Sequence, residues 1–565
     1  MKTRKLSLLM TLMLLMSMFI AACSGGNQDT SQSNENEGEN EESQTEAQQE
    51  KSVPQVLNII EGSEIPTMDS AMGTDAVSFQ VMNEVFEGLY RLGPDNQPVE
   101  GVAINHDVSE DGLVYTFHLR DNAVWSNGTP VTAHDFVFSW QRAIDPNTTS
   151  EYGPYMMSGV IKNADKISAG EMQPSDLGVE AVDDTTLRVT LERPVPYFNT
   201  LMTFPTFLPQ NEEFLTSQGD QYSLEVENLI YNGPFTLTEW KHEDGWVLKK
   251  NFSYWDAATV KLETINVKVV KDPATAVSLY ETNQIDRVGL TAEFVDKYKT
   301  SPEFKSFGEP SLAYLKMNQK GHPALANVNI RRAISKAIDK QSLADVILNN
   351  GSIPAYWSIP KDFVTHPETG EDFRAKNGNF NEYNVEEAKA LWAQGLSEIG
   401  TDSVTIELLG GDTETSIKIQ EYIKNQLETN LAGLTVDLKN VPFEFRLDLD
   451  TNEDYQMQFA GWSPDYLDAM TFADMWVTDG GHNHMNYSNP RFDELINNAK
   501  TTLASDPVAR FEAMQESERI LLEEDAALAP LYQRGTSQLW RPYVKNVHIH
   551  SFGPDYSYKW ASIEK

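Results

Sequence analysis

Hydrophobic and polar positions follow three different patterns along this chain. Residues 6–22 are almost uniformly apolar, interrupted only by Ser7, Thr11 and Ser17, whereas residues 24–50 carry hardly any apolar side chain. From about Val53 onward the pattern becomes that of a folded body. Residues 56–60 predict a first strand, and period-two alternation at 114–120, 186–191 and 265–270 predicts half-buried strands. Helical spacing appears later. Ile330, Ala333, Ile334, Ala337 and Ile338 form one apolar stripe, and Ile419, Tyr422, Ile423 and Leu427 a second. Phe511, Met514, Ile520 and Leu521 lie in a third segment, which Pro507 can open at the first helical position. Asn384 with Glu387 three residues on has the spacing of a capping box. No internal repeat interrupts this order, and the chain reads as α/β with its helices concentrated in the second half.

The apolar N-terminal segment follows Lys2, Arg4 and Lys5 and ends at Ile20-Ala21-Ala22-Cys23, which contains the only cysteine of 565 residues. This arrangement of a positive start, an apolar stretch and small residues before a cysteine resembles the bacterial lipobox. The resemblance implies cleavage before Cys23 and attachment of a diacylglycerol thioether to its sulfur, with fatty acyl chains such as palmitate as the anchor. The competing reading is a transmembrane helix. The segment is short for a span of roughly 20 residues, and no charged stop-transfer cluster follows it. Residues 24–50 hold eight acidic side chains and no Lys or Arg, so like-charge repulsion and low hydrophobicity predict an extended, disordered leash between lipid and body.

The body of about 515 residues is long enough for roughly three domains. Loss of Lys2, Arg4 and Lys5 with the signal would take the formal charge from −40 to −43. Nucleic acid is excluded as a partner, because phosphate contacts require a basic stripe that is absent here. The acidity itself suits solubility at a salty cell surface. With its one thiol under lipid, the body has neither disulfide nor thiol nucleophile, and its stability must come from a large core.

Reaction chemistry leaves little trace. There is no Gly-x-Ser-x-Gly elbow, no phosphate loop ending in Lys-Ser or Lys-Thr, and no His-Glu-x-x-His helix. His482 with His484, and His548 with His550, would place imidazole pairs on one face of a strand, but neither has a clear third ligand. No metal or cofactor is expected, and no catalytic residue can be named. The 57 aromatic side chains are more informative. Several stand in turns, as in Tyr152-Gly153-Pro154-Tyr155, Tyr231-Asn232-Gly233-Pro234-Phe235 and Gly461-Trp462-Ser463-Pro464-Asp465-Tyr466. Such loop aromatics either staple loops to the core or line binding clefts.

At this point the residues carry a family resemblance. The run 112–155, GLVYTFHLRDNAVWSNGTPVTAHDFVFSWQRAIDPNTTSEYGPY, is similar to the oligopeptide-binding proteins of ABC importers, the OppA type within solute-binding protein family 5. So are Phe86-Glu87-Gly88-Leu89, Asp176-Leu177-Gly178-Val179, Pro194-Val195-Pro196-Tyr197-Phe198, the segment 231–255, the segment 329–339 and Gly461 to Asp465. The likeness is colinear from about Val56 to the C-terminus. It implies a periplasmic-binding-protein-like type II fold, α/β, with two lobes around a cleft and an additional inserted domain. Carried onto this chain, 1–22 is the signal peptide and 23–52 the acidic linker. A discontinuous first domain takes 53–90, 206–310 and 533–565, the inserted second domain 91–205, and the third 311–532, with two strands joining the lobes at a hinge.

The resemblance also implies a peptide site. Asp465 would pair with the peptide's free α-amino group, and Trp462 would lie in the cleft. Gly461 and Ser463 would offer main-chain groups to the ligand as to an added strand, and Tyr152 and Tyr532 match tyrosines near the cleft. Enteric relatives carry basic residues shortly before the Gly-Trp segment that can meet a peptide's C-terminal carboxylate. Asp450 and Phe459 stand there in this chain, so a fixed carboxylate clamp is not expected and longer peptides become acceptable. The function implied is a non-enzymatic, monomeric, lipid-anchored receptor on the extracytoplasmic face of the cell membrane, at a Gram-positive surface. It would capture oligopeptides and deliver them to an ABC permease. Relatives of the same fold that bind dipeptides, signalling peptides or nickel chelates are alternatives, as is a surface peptidase or chaperone.

If Cys23 carries the anchor, Cys23→Ala is expected to abolish lipid attachment and normal signal cleavage. Detergent partitioning and N-terminal mass analysis check this, and a variant that still carries diacylglycerol contradicts it.

Overall fold

The computed structural model describes residues 53–565. The signal segment, Cys23 and the acidic stretch lie outside the described residues. Among those described, no helix is long and apolar enough to cross a membrane.

Three sheets organise the body. In the first, Val56–Glu61 runs parallel to Thr264–Val269, which pairs antiparallel with Gly245–Lys250 and through it with Phe235–Lys241. Alternation decides which face is buried: Leu57, Ile59, Ile265, Val267, Trp246, Leu248, Phe235 and Leu237 all point into the core. Between the first and second of these strands in sequence lies a separate antiparallel sheet. Its spatial order is Ala103–Val108, Val114–Leu119, Thr186–Thr190, Val179–Asp183. Helix Ala133–Ile144 covers it with Phe136, Trp140 and Ala143, and starts at a capping box between Thr132 and Asp135.

The third sheet is mixed, in the order Arg287–Gly289, Leu528–Trp540, Phe304–Met317, Met457–Trp462, Val404–Gly411, Leu434–Val441. Helices Val328–Lys336, Val385–Ile399 and Glu414–Asn430 enclose a second core around it, including Ile330, Ile334, Trp392, Ile406, Ile423 and Leu427. Its two longest strands, Phe304–Met317 and Leu528–Trp540, pair along nearly their whole length. Residues 304–308 face 535–539 and residues 312–316 face 528–533, with the register shifted between Gly308 and Leu312.

The predicted elements fall where the periodicity placed them, with instructive differences. Ala337 and Ile338 are buried but lie just past helix Val328–Lys336. Pro507 does open helix Pro507–Arg519, behind an Asp506 cap that accepts from the Ala509 N–H at 3.0 Å, but Ile520 and Leu521 belong to a wider π turn, Ile520–Glu524. Arg331 catches the end of that turn, donating to the carbonyls of Asp525 (2.7 Å) and Ala526 (3.3 Å). His482 and His484 do not share a strand face. They sit in consecutive turns, where Asn483 donates through its amide to the carbonyls of Val477 (2.9 Å) and Tyr487 (2.7 Å). Of the other pair, His548 lies on the two-residue strand His548–Ile549 and His550 just beyond it, bonded to Asn96 and Ser557.

One buried ion pair fastens the irregular stretch leading to the crossing strands. Glu518 accepts from the backbone N–H of Ser358 (2.9 Å) and Ile359 (3.1 Å) and pairs with Arg374, both charges being buried. Arg374→Met leaves Glu518 desolvated and unpaired, and is expected to remove about 3–5 kcal/mol of stability. Denaturant unfolding of the purified protein checks this. A loss under about 1 kcal/mol, the scale of a surface pair, contradicts it.

Candidate functional site

Strand Met457–Trp462 is the scaffold of the site. One edge pairs with Phe304–Met317 in the register Leu312 to Trp462 and Ala313 to Gly461. The other edge meets Val404–Gly411 only at Met457 and Gln458, so Phe459 to Trp462 have no strand partner on that side among the described residues. An unpaired edge inside a protein offers a row of N–H and C=O groups to an extended guest chain. Gly461 is needed here because a Cβ would come within 2.9 Å of the Leu312 carbonyl oxygen.

Beside this edge lies a cavity of about 490 Å³. All six residues singled out from the sequence line it: Tyr152, Gly461, Trp462, Ser463, Asp465 and Tyr532. Ser463 is tied by its hydroxyl to that of Ser311 at 2.8 Å. Tyr152 arrives from the short helix Tyr152–Met157, whose next residue, Gly153, passes so close to Ala143 that a Cβ would overlap its carbonyl oxygen. That close approach explains the Tyr-Gly-Pro-Tyr turn. The Tyr152 ring stacks on Phe204 with centroids 5.5 Å apart and lies 4.9 Å from His482 and 6.2 Å from Trp462. His482 in turn lies 4.8 Å from Trp462 and 4.4 Å from Tyr155, completing an aromatic box.

Asp465 sits at the base of this box and is only 6% exposed. Its backbone N–H donates to Thr471 Oγ1 (3.1 Å), and Oδ1 accepts a long hydrogen bond from the Tyr152 hydroxyl (3.4 Å). Oδ2 has no partner, and no cation pairs with the carboxylate among the described residues. Burial therefore pushes the Asp465 carboxyl well above the usual aspartate range, against the smaller opposing effect of Tyr152. Two further polar atoms of the box lack partners, Trp462 Nε1 and His482 Nε2. Burial, with His484 and Lys316 nearby, lowers His482 to about 3, so its imidazole is neutral.

The other end of the cavity is built from paired charges. Lys316 Nζ lies 2.6 Å from Asp450 Oδ1, and His484 Nδ1 3.5 Å from Asp450 Oδ2. Although burial opposes it, Lys316 and His484 hold the Asp450 carboxyl far below its ordinary value. Phe459, at the second clamp position, also lines the cavity. Sequence reasoning missed Asp75, which caps helix Ala76–Val85 by accepting from the Ser78 N–H (2.9 Å) while its Oδ2 stays unpartnered on the cavity wall. Burial raises it to about 6. The available signal was an Asp three residues before a Ser at a helix start. It also missed Lys316 and Arg446, which line the cavity from a strand and a helix without any motif. Among the described residues no group of three or more His, Cys, Asp or Glu is arranged to hold a metal ion.

Known proteins resemble this chain in sequence and in fold. The family model for bacterial extracellular solute-binding proteins, family 5 Middle, matches residues 97–484. The chain is 32% identical over 519 residues to the dipeptide-binding protein of Lactococcus lactis subsp. cremoris, covering 89% of this chain and 93% of that one. Listeria monocytogenes OppA bound to peptide superposes with a TM-score of 0.88 at 44% identity, over 91% of this chain and 99% of that one. The murein tripeptide binding protein MppA of Escherichia coli gives 0.83 at 28% identity, over 91% and 99%. MppA in its unliganded open form gives only 0.59 at the same identity, over 90% and 97%. This chain therefore superposes less well on the open form than on the other MppA structure.

An unpaired buried carboxylate leaves a stability signature. Because burial raises the folded-state pKa of Asp465 above its unfolded value near 3.9, the folded state binds the extra proton, and wild-type stability falls as pH rises from that value. Asp465→Asn cannot ionise. The ligand-free variant is expected to melt above wild type at neutral pH, with the advantage shrinking toward pH 4. Thermal unfolding across that range checks this, and a variant less stable than wild type at neutral pH contradicts it.

Proposed function

Because this chain belongs to the family 5 bacterial extracellular solute-binding proteins, we propose that it captures oligopeptides by their main chain and free N-terminus and delivers them to an ABC-type peptide permease. The observation that carries this reading is the unpartnered Asp465 carboxylate beside an unpaired strand edge. A carboxylate in a site of low dielectric is a strong, point-specific receptor for an ammonium group, and every peptide with a free N-terminus brings one. Phe459 to Trp462 would hydrogen-bond the ligand backbone as an added strand, with no demand on its side chains. Trp462 Nε1 and His482 Nε2 would complete their hydrogen bonds on the ligand, and Tyr152 and Tyr532 would wall it in.

The sequence departures at the clamp positions fit the same reading. Asp450 is neutralised by Lys316 and Phe459 is apolar, so neither position supplies a free cation for a terminal carboxylate. We take 53–90, 206–310 and 533–565 as one lobe with 91–205 inserted, and 311–532 as the other. The hinge would lie at Ser311 and Gln533. The register shift between Gly308 and Leu312 supports this, as does the Lys271–Asp412 ion pair of 2.9 Å, which would then bridge the two lobes. Lipid on Cys23 would hold the receptor at the outer face of the membrane, with the acidic stretch as its leash. The relatives are named as binding proteins, and the role proposed here is binding without turnover.

Removing one member of a buried charged pair costs about 2–5 kcal/mol, or roughly 30-fold to several thousand-fold in affinity. Asp465→Ala is expected to weaken a free peptide by that order, and N-acetylation of the peptide to weaken wild-type binding similarly. The two changes together should cost far less than their sum, because each removes the same interaction. Titration calorimetry on the four combinations decides this. Equal binding of free and acetylated peptides by wild type overturns the role of Asp465.

A further inference from the structure

Strand Val56–Glu61 has its two ends in different surroundings. Ser63, two residues past its last position, lines the cavity beside Asp465. Its first residue lies about 20 Å from that end, at roughly 3.3 Å per residue. There Gln55 pins the beginning of the body: its carbonyl accepts from the Glu263 N–H (2.8 Å), and its side chain makes two hydrogen bonds of 2.9 Å with the backbone of Ile563. The chain that precedes Val53 leaves the body here. Glu263 closes a loop with Lys250, whose N–H donates to its carbonyl (3.0 Å). Residues 249–264 carry Lys249, Lys250 and Lys261. Lys250 Nζ donates to the Val260 carbonyl (2.8 Å) and Lys261 Nζ to that of Ala258 (2.9 Å), so both ammonium groups lie on one turn. Of the two carboxylates in this stretch, Asp256 is paired with Lys559 at 2.9 Å, which leaves Glu263. That is a surplus of positive charge in a chain of formal charge −40. Phe252 projects from the same loop, 81% exposed, the most exposed large apolar side chain among the described residues, with its ring 5.5 Å from Lys250 Nζ. An aromatic ring held in water among ammonium groups suits the boundary of an anionic bilayer, where the ring meets acyl chains and the lysines meet phosphates.

Resting on the reading that lipid on Cys23 tethers the body, we propose that this end docks on anionic phospholipid headgroups, with Phe252 at the acyl boundary and Lys249, Lys250 and Lys261 against phosphates. The 30 positions from Cys23 to Val53 would span about 30 Å as a flexible chain. The tether thus keeps the docking end beside the bilayer, and a weak contact suffices to orient the body. Cleft and docking end lie at opposite ends of Val56–Glu61. The docked receptor therefore presents its cleft to the medium, a pose for capture, and delivery requires the body to lift and turn on its tether.

The test uses the full lipidated chain in vesicles of phosphatidylcholine, alone or mixed with phosphatidylglycerol. With Cys23 capped by lipid, Ser253→Cys or Ser397→Cys supplies one free thiol for a fluorophore, and lipids with a nitroxide headgroup quench whatever lies at the surface. Both serines are exposed, Ser253 beside Phe252 and Ser397 on helix Val385–Ile399 of the second core. Quenching at position 253 is expected to exceed that at 397 by about threefold or more, only with phosphatidylglycerol present, and to fall to the level at 397 in high salt. In the Ser253→Cys background, Phe252→Ser should erase the excess, as should Lys249→Glu with Lys261→Glu, all at exposed positions. Protein that floats with the vesicles but is quenched equally at both positions, or whose excess ignores lipid charge or survives both variants, overturns the docked pose alone. Protein that floats with neither kind of vesicle overturns the anchor at Cys23 and this inference with it.

Discussion

The antiparallel pair of Phe304–Met317 and Leu528–Trp540 is the constraint on which the rest of the cleft depends. At one end it is flanked by Arg287–Gly289, at the other by Met457–Trp462, the strand that presents Gly461 and Trp462. The ladder is broken in the middle, where Pro310 has no N–H to donate. The Gln533 side chain replaces the missing rungs, donating to the carbonyls of Glu309 (3.1 Å) and Lys361 (3.0 Å) and accepting from the Lys361 N–H (2.9 Å). A bend at this point would strain side-chain hydrogen bonds before backbone ones.

Two carboxylates in the same cavity, fifteen positions apart in sequence, meet opposite fates. Asp450 lies against Lys316 and His484 and stays ionised well below the usual range; Asp465 lies among aromatic rings and is pushed well above it. The difference is one of partners more than of depth, since burial opposes ionisation at both. A group that already has its cation contributes to the fold. A group denied one has its pKa raised and costs stability wherever it ionises, a cost that protonation or a cationic ligand relieves.

Much of this was legible in the sequence and part was not, for identifiable reasons. Alternating strands such as Thr264–Val269 and striped helices such as Glu414–Asn430 were readable because burial on one face imposes a period. The widened turn after Arg519 was invisible, since it depends on Arg331 reaching from a distant helix to cap it. Gly461 to Asp465 stood out by its glycine, proline and aromatic residues, but its site role came only from the family resemblance, and Gly461 and Trp462 end a strand rather than stand in a turn. Asp75, Lys316 and Arg446 could not be singled out, because they reach the cavity from separate elements with ordinary local patterns.

A neutral His482 is a condition of the role proposed for Asp465. Its ring lies within 5 Å of both Tyr152 and Trp462, whose faces also bound the space beside Asp465. A charged imidazolium there would add a positive charge to the aromatic box and repel an incoming ammonium. Burial instead lowers its pKa to about 3, far under physiological pH, so the ring adds no charge to the box. A ligand bound at that end would present successive side chains to alternate sides of an extended backbone. On the proposed function, charge would fix where the chain begins and the strand edge its direction, leaving the shape and polarity of the walls to discriminate among sequences.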